Sequence, residues 1–394
     1  MSSDMGLPGD QTVHQDAGKI IGGKYKLQVL AGEGGMATVW KGEMQGAAGF
    51  SRTVAIKKMK PEFLALRNYI DMFVEEARVG ASMQHPNIVQ VLDFLQDEQR
   101  NYYLILEWVQ GIDVHQLVST FRRANHRLPW GIVAAIGIGC LRGLAAAHER
   151  VDVDGNPLPV IHRDVSPQNI LLSTGGAVKL TDFGLALAKD RIAMMTMPGT
   201  VKGKLSYLSP EGVRGHKATA LSDIFAVGTV LWEALAGRRL FDGADDGEVF
   251  LKVRDAKVPS LLEERPGLPV KVAEVIHRAL AVDPSDRFAN ARSFALELSI
   301  LLGGAQNAQG AQQLLGKAVN EVRRFTGEEK VVAHQQVTAV PVQETTSRSE
   351  EITKDSWEAA DIEFSTIAAL NPVVEDLDSV DIWFSDPSIE LPPE

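Results

Sequence analysis

The sequence has one cysteine, few aromatic residues and no long apolar run. With Cys140 alone the chain cannot form an internal disulfide, which is typical of a reducing compartment. Cys140 lies in the apolar run 136–141, so it is predicted to be a small core residue rather than a reactive thiol. No apolar stretch reaches the roughly 18 residues that span a bilayer, and residues 1–16 lack the apolar segment of a secretory signal. These absences predict a soluble, cytoplasmic protein.

Positive charge is also in deficit. The chain has 40 Lys and Arg against 51 Asp and Glu, a net charge of −11, which does not favour a nucleic-acid-binding surface. Apolar residues make up 45% and charged residues 23% of the sequence, as is ordinary for a soluble globular protein. A length of 394 residues leaves room for one large domain with tails, or for two domains.

Three polar residues that suit phosphoryl transfer follow apolar runs in mid-chain. Asp164 and Asn169 lie in the run IHRDVSPQNILL (161–172), and Asp182 lies in LTDFG (180–184). Phosphoryl transfer needs one carboxylate that orients a hydroxyl, and an amide and a second carboxylate that hold Mg²⁺. The two runs resemble the catalytic loop and the D-F-G motif of protein kinases. The resemblance implies that Asp164 is the catalytic carboxylate and that Asn169 and Asp182 are the metal ligands.

A glycine-rich segment between two predicted strands resembles the phosphate-binding loop of the same family. Glycines let backbone N–H groups approach phosphate oxygens, although a glycine cluster alone is more often a hairpin turn. The third glycine of the family pattern is replaced here by Ala37, which does not rule out activity. The resemblance implies nucleotide contacts from the loop residues Ala31, Gly32, Glu33, Gly34, Gly35, Met36, Ala37, Thr38 and Val39.

A cation and an acid complete the phosphate-binding part of the resemblance. Lys57 ends the predicted strand VAIK and matches the family lysine that binds the α- and β-phosphates. A helix is predicted from Tyr69 to Met83. By its spacing to the His-Pro-Asn turn at 85–87, Glu76 matches the acid that pairs with the lysine, and Glu75 is the alternative. Both glutamates could instead be solvent-facing charges.

The run LEWVQG at 106–111 resembles the hinge between the two kinase lobes. The resemblance implies that Leu106 is the gatekeeper and that backbone groups of Glu107 and Val109 bind the adenine edge. Asp113 is a plausible N-cap of the following helix and a possible ribose partner. The adenine ring would lie between Val39, Ala55 and Leu171.

Further matches imply the supports of this site. Asp223, on a predicted buried helix, would brace the backbone of the catalytic loop, and Arg287 would pair with Glu211 as a structural ion pair. The segment between Asp182 and Glu211 resembles the activation loop. Its Thr200 and, less favoured, Thr196 are candidate phosphorylation sites, which Arg163 could bind once phosphorylated.

One departure from the family has a physical consequence. Most serine/threonine kinases have a lysine two residues after the catalytic aspartate, where this chain has Ser166. The Gly-Thr pair of the family is Gly203-Lys204 here. We hypothesise that the two positions have exchanged roles, so that Lys204 supplies the charge at the γ-phosphate. In the alternative, Lys204 is a surface charge and the enzyme is slow or inactive.

The resemblance covers about residues 25–302 and implies a two-lobed α+β protein kinase fold. A small antiparallel sheet with one helix (23–110) would precede a mainly helical lobe (111–302). We predict a disordered segment at 1–22 and, at 303–394, a linker from Gly303 to Gln313 followed by an acidic, disordered tail. After the linker, residues 314–325 could form one short helix. The acidic, aromatic tail could instead dock on a partner or on the kinase domain.

The expected function is ATP- and Mg²⁺-dependent phosphorylation of serine or threonine in proteins, including the kinase itself, in bacterial signalling. The wording of the catalytic loop is most like that of myxobacterial kinases. Expected partners are protein substrates, an upstream kinase or a tail-binding protein, without nucleic acid or a membrane span. The alternative is a pseudokinase scaffold. A small-molecule phosphotransferase and a tyrosine kinase are less favoured, because the activation segment is complete and the run 166–168 does not match the tyrosine-kinase loop.

Overall fold

The structure, a computed structural model, describes residues 16–183 and 205–327. The strands are β1 (Ile20–Ile21), β2 (Tyr25–Glu33), β3 (Ala37–Gln45), β4 (Ser51–Met59), β5 (Val91–Gln96), β6 (Tyr102–Glu107), β7 (Gly111–Asp113), β8 (Ile170–Ser173) and β9 (Val178–Leu180). The helices are α1 (Arg67–Ala81), α2 (Val114–Arg123), α3 (Trp130–His148), α4 (Pro210–Val213), α5 (Ala220–Ala236), α6 (Asp246–Asp255), α7 (Leu261–Glu264), α8 (Val270–Ala279), α9 (Ala291–Leu301) and α10 (Ala305–Thr326).

The first lobe is an antiparallel sheet with the strand order β1-β2-β3-β4-β6-β5, covered on one face by α1. Successive side chains of a strand point to opposite faces. In β4, Val54 and Ile56 therefore join one apolar cluster, whereas Ala55 and Met59 join the other. Phe73 of α1 is buried in the second cluster, so this cluster is the interface between sheet and helix.

The second lobe is built around α3, in which 16 of 19 residues are buried. Gly143 permits its close contact with the first lobe, because a Cβ there would lie 2.7 Å from the carbonyl oxygen of Asn87. By length and composition α3 is the one described helix that could cross a membrane, but 89% of its most apolar window is buried inside the protein. Its apolar composition, including the buried Cys140, is thus accounted for by its central position.

A small antiparallel sheet, β7-β8-β9, lies where the lobes meet. The N–H of Val89 donates to the carbonyl of Leu180 at 2.8 Å, and the N–H of Leu180 donates to the carbonyl of Asn87 at 2.9 Å. These bonds join β9 to the chain that leads into β5. The predicted two-lobed α+β fold is confirmed.

The prediction of disorder as far as residue 22 is wrong at its end. Ile20 and Ile21 form β1 and pair with β2. The side chain of Ile21 is buried in the first-lobe core. Gly22 and Gly23 both have positive φ, 55° and 68°, which suits glycine and allows the tight turn into β2.

The prediction of a linker from Gly303 to Gln313 is also wrong, because α10 already begins at Ala305 and continues to Thr326. The helix predicted for 314–325 is its second half. Ala311, Leu315 and Val322 of α10 are fully buried in the core of the second lobe. Alanine, valine and leucine residues form the packed face.

Candidate active site

Lys57 is the meeting point of three separate parts of the chain. The alternation of β4 places its side chain on the α1 face, like that of Ala55. Its Nζ lies 2.6 Å from Oε1 of Glu76 and 2.6 Å from Oδ1 of Asp182. The Lys57 and Glu76 side chains are about one-tenth exposed and that of Asp182 about one-third, so the cluster opens to solvent at Asp182.

The choice between the two candidate glutamates follows from the helix face. Met72, Phe73 and Ala77 of α1 are buried, and Glu76 lies on the same face one turn after Met72 and Phe73. Glu75 points outward, is half exposed and lies 3.6 Å from Arg78. The predicted ion pair of Lys57 with Glu76 is therefore present.

Burial and charge act in opposite directions on this cluster. Burial lowers the pKa of the Lys57 ammonium group. The carboxylates of Asp182 and Glu76 together raise this pKa by more than burial lowers it, so the pKa lies above its ordinary value. Burial raises the pKa of the Glu76 carboxyl, and the charge of Lys57 opposes that effect. Lys57 is thus held as a cation, as binding of phosphate oxygens requires.

Asp164 and Asn169 are held together in the loop that precedes β8. The Asn169 side-chain amide donates to the Asp164 backbone carbonyl at 2.7 Å and to its carboxylate Oδ2 at 3.0 Å. The Asn169 backbone carbonyl accepts from the N–H of Thr181 at 3.0 Å. Asn169 is therefore bonded to the residue before Asp182, and the three residues predicted to carry the chemistry belong to one connected structure.

Asp223 of α5 braces this loop from below, as predicted. Its Oδ2 accepts from the N–H of His162 and its Oδ1 from the N–H of Arg163, both at 2.8 Å. Oδ2 also lies 2.8 Å from Nε2 of His148 at the end of α3. Arg163 and Asp182 have φ of 66° and 54°, which non-glycine residues rarely adopt. Backbone strain of this kind is concentrated at functional sites.

His162 connects the loop to the D-F-G motif. It is fully buried, and its ring lies 4.5 Å from that of Phe183. Nδ1 accepts from the N–H of Asp164 at 3.3 Å, so Nε2 carries the proton and donates to the carbonyl of Thr181 at 3.1 Å. The bond accepted by Nδ1 requires a neutral ring, because a protonated Nδ1 cannot accept a hydrogen bond. Burial lowers the pKa of His162, which agrees with that assignment.

The predicted adenine-binding residues come together in one apolar cluster at the inner face of the sheet. The predicted residues that belong to this cluster are Val39, Ala55, Leu106, Val109 and Leu171. Ala37, the substitute for the third glycine, is buried in the same cluster, whereas Ala31 is exposed and outside it. The methyl group of Ala37 therefore packs against this apolar cluster.

Most of the remaining predicted nucleotide contacts lie at the end of β2, at the start of β3 and in the turn between them. The segment 34–36 turns between β2 and β3, with the N–H of Gly34 donating to the carbonyl of Ala37 at 2.8 Å. Glu33 pairs with Lys60 at 2.6 Å. Asp113 caps α2 through a reciprocal bond with Gln116, which confirms the predicted N-cap. Gly32, Gly35, Met36 and Thr38 lie in the same segment, with Thr38 buried.

Two supporting residues were not found from the sequence. Lys179 of β9 places its Nζ 2.6 Å from Oε1 of Glu107, which also accepts from the N–H of Gln90 at 2.9 Å. His148 is the third partner of Asp223. A lysine in a strand and a histidine at the end of a helix carry no signal until their partners are placed in three dimensions.

The supporting ion pair of the second lobe is present. The Nη atoms of Arg287 donate to both carboxylate oxygens of Glu211, at 2.9 and 2.8 Å, and the Arg287 side chain is fully buried. Predictions for Gly184, Thr196, Thr200 and Lys204 lie outside the described residues.

Comparison with known proteins identifies the family to which this chain is similar. A family model described as the protein kinase domain matches residues 25–297. Tyrosine-protein kinase MasK of Myxococcus xanthus is 37% identical over 292 residues, which are 74% of this chain and 45% of MasK. Serine/threonine-protein kinase PrkC of Bacillus subtilis is 34% identical over 281 residues, 71% of this chain and 41% of PrkC.

Among solved structures, the kinase domain of Mycobacterium tuberculosis PknI matches with a TM-score of 0.54 at 28% identity. The match covers 72% of this chain and 98% of that domain. The chain spans less than half of the length of MasK and of PrkC. The match of the family model, over more than half of the chain, is in the region that contains every residue of the site described above. This chain belongs to the protein kinase family.

Proposed function

We propose that the chain is a cytoplasmic serine/threonine protein kinase that transfers the γ-phosphoryl group of ATP to proteins and to itself in bacterial signalling. The observation that carries the proposal is the position of Lys57, 2.6 Å from Glu76 and 2.6 Å from Asp182, residues 19 and 125 positions away in the chain. Burying a cation and two carboxylates costs desolvation free energy. Charged groups with perturbed pKa values are concentrated at functional sites.

ATP would bind with its adenine ring in the apolar cluster between Val39, Ala55 and Leu171. Its phosphates would extend beneath the segment 32–38 toward Lys57. The amide oxygen of Asn169 and the carboxylate of Asp182 are the ligand types that Mg²⁺ prefers, and their chain segments are hydrogen-bonded through Thr181. These residues therefore fit the ion, which would offset phosphate charge when bound.

In the transfer step, Asp164 would orient the substrate hydroxyl and accept its proton. The bond from Asn169 fixes the Asp164 carboxylate, so little conformational freedom is lost when the substrate binds. Lys57 would hold the α- and β-phosphates so that the terminal phosphorus faces the hydroxyl. The intact connections among these residues favour catalysis over the alternative of an inactive scaffold.

Purified protein incubated with Mg²⁺ and γ-labelled ATP tests the proposal directly. Label should appear on the protein, and Asp164→Asn and Lys57→Met should each reduce it to background. Asp154→Asn is the matched control, because Asp154 is exposed in the turn before the catalytic loop. Label on Asp164→Asn at the wild-type level would contradict the proposed role of Asp164.

The acceptor residue is decided by phosphoamino-acid analysis of the labelled protein. Phosphoserine and phosphothreonine are expected. MasK is named a tyrosine-protein kinase, so phosphotyrosine as the main product would replace serine/threonine specificity by tyrosine specificity. Cell fractionation tests the proposed location, because a cytoplasmic kinase should remain in the supernatant after the membranes are sedimented.

Lys204 would supply the γ-phosphate charge that Ser166 cannot carry. Lys204→Met should then lose activity, and adding Ser166→Lys to that variant should restore part of it, since it returns a lysine to the usual family position. Loss of activity without rescue would indicate another role for Lys204. Unchanged activity of Lys204→Met would reject the exchange.

A further inference from the structure

Helix α10 lies beyond the region that matches the kinase family model, which ends at residue 297. It nevertheless packs against α2, α3, β7 and β8. Ala311, Leu315, Ala318, Val319 and Val322 are fully buried, and their spacing of three and four residues places them on one face. The helix is therefore an integral part of the second lobe.

A second face of α10, which carries Gly316 and Asn320, lies against the backbone of the turn between β8 and β9. A Cβ on Gly316 would lie 2.9 Å from the nitrogen of Gly176 and 2.9 Å from the carbonyl oxygen of Thr174. A Cβ on Gly176 would lie 2.0 Å from the carbonyl oxygen of Gln312. One turn further along, Asn320 Nδ2 donates to the carbonyl of Thr174 at 3.1 Å. The contact leaves no room for a side chain on either glycine.

The turn that α10 contacts is bonded in turn to the hinge. The N–H of Thr174 donates to the carbonyl of Gln110 at 2.8 Å. Gly111 pairs with Ser173, and Asp113 pairs with Leu171. The N–H of Thr174 thus donates to the hinge, and its carbonyl accepts a hydrogen bond from α10. Strand β8, which ends one residue before Thr174, carries Leu171 of the apolar cluster and begins directly after Asn169.

We propose that α10 positions the β7–β8 strand pair, and with it the floor of the nucleotide cleft, through Gly316 and Asn320. These are positioning residues, since neither lies in the cleft. The KM measurement that tests this inference rests on the proposed function, whereas the hydrogen-exchange measurement does not depend on it. If α10 shifts by a few tenths of an ångström, β8 and the hinge move with it and the fit to the adenine ring worsens.

Two glycines of the same helix provide a matched pair of variants. Gly310 and Gly316 both lie in the interior of α10, so replacement by alanine increases helix propensity equally. A Cβ on Gly310 would meet no atom within 4 Å, whereas a Cβ on Gly316 would meet backbone atoms. Any difference between the two variants therefore reports the contact with the turn.

The experiment uses the full-length chain and measures KM for ATP, kcat, the melting temperature and amide hydrogen exchange. Gly316→Ala should raise KM for ATP by about three- to tenfold, as expected for a displacement well below 1 Å. It should also accelerate exchange of the Thr174 amide, which donates to the carbonyl of Gln110. Gly310→Ala should leave KM and exchange at the wild-type values and raise the melting temperature or leave it unchanged.

Asn320→Ala is the second variant, because it removes the hydrogen bonds from Nδ2 to the carbonyls of Thr174 and Gly316 without introducing a clash, and it should fold. It should accelerate exchange of the Thr174 amide and raise KM for ATP by a smaller factor. A lower melting temperature with unchanged KM and unchanged exchange at Thr174 would overturn the inference, because α10 would then only stabilise the lobe. If the wild type binds no ATP, the proposed function fails, and hydrogen exchange still decides the inference.

Discussion

The backbone N–H of Arg163 donates a 2.8 Å hydrogen bond to Oδ1 of Asp223, 60 residues further along the chain. Arg163 has a φ of 66°, a conformation that is unfavourable for a residue with a side chain. Because Asp164 comes next, this bond holds the residue before the proposed catalytic carboxylate in a conformation that it would rarely adopt unaided. The rigid helix α5 thereby sets the direction in which the loop presents Asp164.

Asp223→Ala should lower both stability and kcat. The variant leaves the N–H groups of His162 and Arg163 without their acceptor, and a buried unsatisfied donor costs about 1–3 kcal/mol. Urea unfolding should therefore show a loss of about 3 kcal/mol. At a temperature at which the variant is still folded, steady-state kinetics should show a lower kcat because the loop is no longer fixed. Asp223→Asn keeps one oxygen acceptor and should lose less, and an unchanged kcat in the folded alanine variant would contradict a positioning role.

Glu76→Gln should reduce activity, whereas Glu75→Gln should not. Glutamine at 76 cannot balance the charge of Lys57, so Lys57 would be drawn toward Asp182 and away from the phosphates. A misplacement on the order of 1 Å costs roughly a hundredfold in rate, and kcat measured with γ-labelled ATP should fall by about ten- to a hundredfold. Glu75 is half exposed beside Arg78, so its variant is the control. Equal effects of the two substitutions would argue that the ion pair is dispensable.

The sequence was sufficient to predict the fold and which residues come together at the candidate site, because each of these residues belongs to a motif with a physical role. Glycines mark the approach of a phosphate, and an acid and an amide mark a metal. The spacing to the His-Pro-Asn turn predicts Glu76 rather than Glu75, and the burial of Met72, Phe73 and Ala77 on the same helix face agrees with that choice. Period-two alternation in β4 likewise determines that Lys57 faces α1.

Other features depended on contacts that leave no pattern in a single sequence. Lys179 is one charged residue in a short strand, and its bond to Glu107 exists only because β9 and β6 meet at the hinge. Helix α10 was mistaken for a linker as far as Gln313, since glycine, alanine and glutamine are typical of linkers. Its glycine at 316 is instead demanded by the backbone of Gly176. Tertiary contact, rather than composition, makes this stretch a helix.

Arg287→Met should destabilise the second lobe strongly. The guanidinium group binds both oxygens of Glu211 and also donates to the carbonyls of Leu221 and Ala281. Removing one partner of a buried ion pair costs about 3–5 kcal/mol, because the other charge is left buried. Urea unfolding measures this loss.

Arg292→Met is the control for the same experiment. Arg292 pairs with Glu149, but its side chain is 71% exposed, so the expected loss is at most about 1 kcal/mol. Equal losses for Arg287→Met and Arg292→Met would show that burial of the Arg287 pair is not what stabilises the lobe.

His162 should make the stability of the kinase fall as the solution is acidified. Burial lowers its pKa below the ordinary value of 6.5, although Asp223, Asp164 and Asp182 nearby oppose that shift. The unfolded chain therefore binds a proton below pH 6.5 that the folded protein rejects. The stabilisation is complete above pH 6.5 and is lost, at up to about 1.4 kcal/mol for each pH unit, as the pH falls below it. Urea unfolding at pH 7.5 and 5.5 measures this loss. His162→Gln should reduce it but not abolish it, because burial also lowers the pKa values of His85, His115 and His277. The exposed His216 supplies the control variant His216→Gln, which should keep the wild-type pH dependence. If His162→Gln and the wild type lose the same stability between the two pH values, the neutral ring inferred from the bonds to Asp164 and Thr181 does not govern this pH range.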